Sequence, residues 1–174
     1  RSDMSASPLD TFVSALGSQD VPCERTTSTS FAATLAKHLR EPAVGIPMED
    51  LDVSLSDTDV TVDPTPAELK AADTGVTPAS FAIADYGSVV IPGTSDGAEL
   101  ASLFVGRHVA VVDADDVVPG METAFDRFGE SFRDHASSAI IATGPSATAD
   151  MGELVRGAHG PSEVHVIVLE DDDE

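Results

Sequence analysis

One cysteine, one tyrosine, two lysines and no tryptophan occur in these 174 residues. The single thiol, Cys23, excludes an internal disulfide, and alone it cannot supply the ligand set of a structural zinc or an iron–sulfur cluster. No apolar run approaches the roughly 20 residues of a membrane-spanning helix. The start of the chain also lacks the basic, apolar and small-residue regions of a secretory signal. A soluble cytoplasmic protein with no membrane partner is therefore expected. Basic residues are equally scarce: 9 Lys and Arg stand against 31 Asp and Glu, for a formal net charge of -22. A surface of that sign repels phosphate backbones and offers no basic footprint for counterion release, so no nucleic-acid partner is expected.

What is present is acid, spread through almost every segment and not only in the closing residues 170–174. Disordered acidic chains lack apolar runs such as those at 109–112, 139–142 and 164–169. The composition fits a folded halophilic protein of the haloarchaeal type, in which molar salt screens the self-repulsion. With seven Phe as the main aromatics, the core must be built mostly of Val, Ala, Leu and Ile. The length suits one domain, expected over 8–170, with a flexible N-terminus at 1–7 and an acidic tail at 171–174.

Residues 8–17 place Leu9, Phe12, Val13 and Leu16 at helical spacing, and a second helix is expected over 28–40, stopped by Pro42. The apolar AVGIPM that follows suits a strand. Residues 50–66 alternate apolar and acidic residues, as an edge strand or an acidic loop would. Pro66 and Gly75 bracket a short helix. FAIA and SVVI, broken by Asp85-Tyr86-Gly87, read as a hairpin or a bulged strand in which Gly87 takes a positive φ. A short helix is expected after Gly97 and a longer one over 119–134, with Met121, Phe125, Phe128 and Phe132 on one face. HVAVVD, SAIIATG and VHVIVL read as buried strands, and ADMGELVRG as a helix between the last two. Strands alternating with helices predict an α/β fold with a largely parallel sheet covered by helices on both faces.

Two stretches are candidates for chemistry. Gly144, Pro145, Ser146, Thr148 and Asp150 lie between an expected strand and an expected helix. Unpaired N–H groups at such a helix start can hold a phosphate or a carboxylate. The plainer alternative is a cap, with Ser146 or Thr148 as acceptor and Asp150 with Glu153 as a capping pair. The loop is neither a Walker A sequence nor GxGxxG. His159 belongs to a second glycine-marked loop expected at the other end of the same helix, which disfavours a triad with Ser146 and Asp150. In the second stretch, Asp85 beside Gly87 and Ser88 offers a base or nucleophile in a cleft. A turn aspartate that satisfies backbone N–H groups is the alternative. Histidines 38, 108, 135, 159 and 165 show no HxH or HExxH spacing, so no metal site is expected.

GVTPASFAIADYGSVVI, then RHVAVVD, then IIATGPSATADMGELVRGAHGPSEVHVIVL follow an order that resembles the LUD-domain family in its lactate-utilization (LutC-like) branch. The likeness covers about 75 to 170. Where the family usually carries Ala-Glu-Thr-Gly-Thr, this chain has Ala84-Asp85-Tyr86-Gly87-Ser88. The resemblance implies a fold similar to ribose-5-phosphate isomerase and CoA transferases (NagB/RpiA/CoA-transferase-like). It also implies a role in oxidising L-lactate to pyruvate beside iron–sulfur partner proteins of the LutA/LutB type. With Cys23 alone, this chain is expected to bind no cofactor itself, the iron–sulfur clusters residing on those partners. Two other roles stay open: a stand-alone isomerase or transferase acting on a phosphosugar or CoA ester, and a non-catalytic regulatory or assembly subunit.

Overall fold

The computed structural model describes residues 7–48, 51, 53–92, 105–134, 139–144, 147–150, 153–156 and 161–170. In chain order these form α1 (Pro8–Ser18), β1 (Cys23–Thr27), α2 (Phe31–Ala36), β2 (Ala43–Gly45), β3 (Val60–Val62), α3 (Pro66–Ala71), β4 (Thr74–Pro78), β5 (Phe81–Ile83) and β6 (Ser88–Pro92). Then come β7 (Arg107–Asp113), β8 (Val117–Val118), α4 (Met121–Asp134), β9 (Ala139–Thr143), β10 (Ala147–Asp150), β11 (Glu153–Arg156) and β12 (Glu163–Glu170).

Six strands make one sheet in the order β1-β12-β7-β4-β2-β3, with every neighbouring pair parallel. Its central strands are the apolar runs of β7 and β12, and their alternation divides the core. Ala110, Val112, Val166 and Val168 face Phe12 and Leu16 of α1. Val109, Val111, Ile167 and Leu169 face Phe31 and Leu35 of α2. Helices therefore cover both faces, as a wholly parallel sheet requires. Burying each such Phe or Leu contributes about 1.5–3 kcal/mol.

A second sheet, β8-β5-β6-β9, grows out of the first. The parallel pair β4 and β7 continues, through short bends, into the parallel pair β5 and β8. Ala82 and Ala84 join the α1 side of the core, whereas Phe81 and Ile83 face Met121, Ala124 and Phe128 of α4. The small sheet is thus packed between α1 and α4. Among the described residues no helix is long and apolar enough to cross a membrane.

Local chemistry explains the helix starts. Ser7 accepts from the Asp10 N–H with Pro8 in the first turn, and Thr65 accepts from the Glu68 N–H with Pro66 in the same role. Several sequence expectations need correction. Gly75 does not end α3: the helix stops at Ala71, and Gly75 lies mid-strand in β4 between Val44 and His108. The second helix covers only Phe31–Ala36, because Lys37 and His38 bond back three residues in tightening turns. Within the acidic stretch expected over 50–66, described residues 53–65 supply both a loop and the edge strand β3. Phe125 is 67% exposed, so the apolar stripe of α4 is narrower than its spacing implied.

The larger correction concerns 139–156. The run AIIAT is an edge strand, β9, antiparallel to β6, and Ile141 is 45% exposed. The expected helix after it is replaced by β10 and β11, paired antiparallel with Asp150 opposite Glu153. Thr148 opposite Val155 suits strands better than a helix with so short an apolar stripe. β1, over CERTT, carried no apolar alternation to announce it and still forms the sheet's outer strand.

Candidate functional site

The turn between β5 and β6 is built from a single 3-10 turn over Ala84–Tyr86 and Gly87 in the left-handed region, φ +62°. Gly87 is required there twice: for its φ, and because a Cβ would stand 3.2 Å from Ala15 Cβ. The turn raises Asp85 and Tyr86 into solvent, Tyr86 at 51% exposure. The Asp85 N–H donates to the Pro119 carbonyl at 3.2 Å, and its carboxylate lies over Gly120, where a Cβ would come within 2.8 Å of Oδ2.

Ser88, which opens β6, is 2% exposed, and its Oγ is 2.6 Å from Oγ1 of Thr143 at the end of β9. The next residue, Gly144, again has a left-handed φ of +67°. Between the two glycine turns sits Gln19, the residue that caps the end of α1. Its Nε2 donates to the Tyr86 carbonyl at 2.7 Å. A Cβ on Gly87 would stand 3.0 Å from Nε2, and one on Gly144 would stand 2.8 Å from Oε1. One carboxamide thus fills the space that both missing side chains leave.

Gly87 and Gly144 are therefore brought together by Gln19, with Ser88 bonded to Thr143 beside them and Asp85 turned to Pro119 and Gly120. Thr148 and Asp150 lie on β10, so the helix N-terminus expected to bind an anion there is absent; that backbone is paired with β11 instead. Pro145, Ser146 and His159 lie outside the described residues. Gln19, Gly120 and Thr143 were not legible as site residues, because none belongs to a local pattern and each acts across a tertiary contact. Among the described residues no group of three or more His, Cys, Asp or Glu is arranged to hold a metal. The Cys23 thiol is pushed up to about 11 by burial, against the smaller opposing pull of Arg25.

A model of the LUD domain matches residues 25–169. Lactate utilization protein C of Deinococcus radiodurans is 34% identical over 140 residues, which cover 77% of this chain and 63% of that protein. Lactate utilization protein C of Bacillus subtilis is 27% identical over 134 residues, 75% of this chain and 53% of that protein. The chain spans less than two thirds of the length of the curated relatives it matches. A crystal structure of a DUF162 family protein from Deinococcus radiodurans superposes with a TM-score of 0.70 at 22% identity, covering 93% of this chain and 96% of that one. That likeness supports the α/β fold.

Proposed function

This chain belongs to the LUD domain family, and on that premise we propose that it serves L-lactate utilization as a LutC-like component that binds a small carboxylate beside Asp85. The names of its relatives support the pathway. The observation that carries the site is the Gln19 carboxamide seated between Gly87 and Gly144. It joins the Asp85 turn to Gly144 at the end of β9. Gly120 lets the Asp85 carboxylate lie against backbone, and Gln19 occupies the space beside Gly87 and Gly144, so a small ligand would meet the exposed, Asp85 side of the turn.

Oxidising L-lactate to pyruvate removes two electrons and two protons. In this reading Asp85, exposed on its turn, accepts the hydroxyl proton as general base. The hydrogen of the carbinol carbon and both electrons leave to the redox centres of iron–sulfur partner proteins, because Cys23 is the one cysteine here and burial keeps its thiol protonated. A net charge of -22 gives lactate no long-range attraction. Short-range contacts at the exposed turn must supply the binding.

Titrating L-lactate and pyruvate into the nitrogen-15-labelled chain in molar KCl tests this. Saturable shifts of the Gly87 and Gly144 amides, reduced in Asp85→Ala and in Ser146→Ala, are expected. Saturable shifts that map elsewhere, or no saturation at either glycine, would remove this site.

A further inference from the structure

The amino ends of β1, β7 and β12 gather a second cluster of polar side chains, separate from the glycine turns. His38, just beyond α2 and 8% exposed, has Nδ1 2.7 Å from Nδ1 of His165 on β12. The two rings meet edge to face, with centroids 4.9 Å apart and an interplanar angle of 86°. On its far side His38 Nε2 is 2.8 Å from Glu24 Oε2 of β1. The far nitrogen of His165 faces Glu163 Oε2 at 3.8 Å.

The remaining charges close around this line from every neighbouring element. Arg107 of β7 donates from Nε to Glu163 Oε2 at 2.7 Å and from Nη1 to the His38 carbonyl at 3.0 Å. Lys37 donates to Glu24 Oε1 at 2.9 Å. Arg40 reaches Asp73, ahead of β4, at 3.3 Å and Glu163 at 3.6 Å.

Counting protons along the line gives its charge state. A 2.7 Å contact between two Nδ1 atoms needs one hydrogen, since two would collide and none would oppose two lone pairs. His38 Nε2 must carry a hydrogen to meet Glu24. His165 Nε2, aimed at the Glu163 carboxylate, is attracted as N–H and repelled as a lone pair. Three N–H groups on four ring nitrogens are one more than two neutral imidazoles hold.

We propose that His38 and His165 form a singly charged pair that clasps the segment after α2 to β12, and that the clasp opens when the pair gains or loses a proton. The single charge lies between two carboxylates, Glu24 and Glu163. A second charge is opposed by the short contact itself and by Arg107. In keeping with this, burial first, and then Arg107 and His38, push the His165 ring down to about 4. The hydrogen bond from His38 holds Glu24 below the usual carboxylate range, as the one from Arg107 does Glu163. On the alkaline side, loss of the shared charge leaves a lone pair facing Glu163 or breaks the contact between the rings.

Histidine nitrogen-15 spectra of the full chain in molar KCl, taken from about pH 3 to 9 so as to span both the lowered His165 ring and the ordinary histidine range, give the direct test. At neutral pH the expected result is one charge on the pair, with three of the four ring nitrogens protonated and one not. Amide protection factors over 37–40 should be highest there and fall at least about tenfold on either side, the equivalent of one pKa unit. His165→Gln should flatten that dependence; if the variant does not fold, the spectra of the unaltered chain decide alone. Two neutral rings at neutral pH, or the same protection profile in a folded His165→Gln, would overturn the proposal.

Discussion

Gln19 Nε2 donates to the carbonyl oxygen of Tyr86 across 2.7 Å, while Oε1 of the same side chain occupies space 2.8 Å from where a Cβ on Gly144 would lie. Two turns distant in sequence are set against each other by one residue from a third segment. This makes Gln19 a positioning residue, and its effect can be separated from simple strain at each glycine.

Gly144→Ala should destabilise by about 1–2 kcal/mol for the left-handed backbone, plus whatever displacing Gln19 adds. In a Gln19→Ala background only the backbone part should remain. Gly87→Ala should keep more of its cost in that background, because Ala15 Cβ and C stand 3.2 and 3.3 Å from the new atom even when Gln19 Nε2, at 3.0 Å, is gone. Urea unfolding of the two double-mutant cycles checks this. Equal coupling of Gln19 to both glycines would contradict it.

Ser88→Ala should cost about 0.5–1.5 kcal/mol, the net worth of one hydrogen bond. Its partner Thr143 is exposed and can turn to water. If Ser88 also touches ligand, lactate binding will weaken by more than the fold does. Chemical unfolding and lactate titration of the same variant separate the two effects.

Much of the architecture was legible because the apolar runs at 109–112 and 164–169 are buried on both faces, and nothing but a central parallel strand suits such a run. The run at 139–142 has the same composition and a different fate. Among the described residues β9 pairs only with β6 and leaves Ile141 half open, a matter of partners that composition does not encode. The Gly87 turn followed from its own residues, since a positive φ between two apolar runs is a local requirement. Residues 147–156 misled because acidic and small residues in a short segment satisfy helix-start rules and strand pairing about equally. The His38 and His165 contact joins residues 127 positions apart, so no spacing motif announces it.

Acid should weaken the fold before its carboxylates titrate. Burial pushes His108, whose Nε2 is 2.7 Å from Thr77 Oγ1, down to about 4, and His165 is lowered to about 4 as well. Their unfolded counterparts bind protons near about pH 6.5. The unfolded chain therefore holds more protons in this window, and stability falls with falling pH from about 6.5 toward 4. For His108 alone the full effect is on the order of 3 kcal/mol. Urea unfolding at successive pH values in constant KCl should show the decline between about pH 6.5 and 5, where carboxylates contribute little. A flat profile there would contradict it.

Salt should do the reverse. With a net charge of -22, raising KCl from about 0.1 M to 1 M shortens the screening length from about 10 Å to about 3 Å and relieves self-repulsion. The thermal midpoint should rise steeply over that range. A midpoint indifferent to KCl would show that the acidic surface is not an adaptation to salt.

The measurement that bears most directly on the proposed role is L-lactate-dependent dye reduction by the iron–sulfur partner proteins in molar KCl, with and without this chain. The account predicts that the rate depends on the chain, and that Asp85→Ala lowers it by at least about a hundredfold, the lower end of a general base's contribution. Gln19→Ala should lower it less while leaving the fold intact. Full activity without the chain, or with Asp85→Ala, would contradict the account.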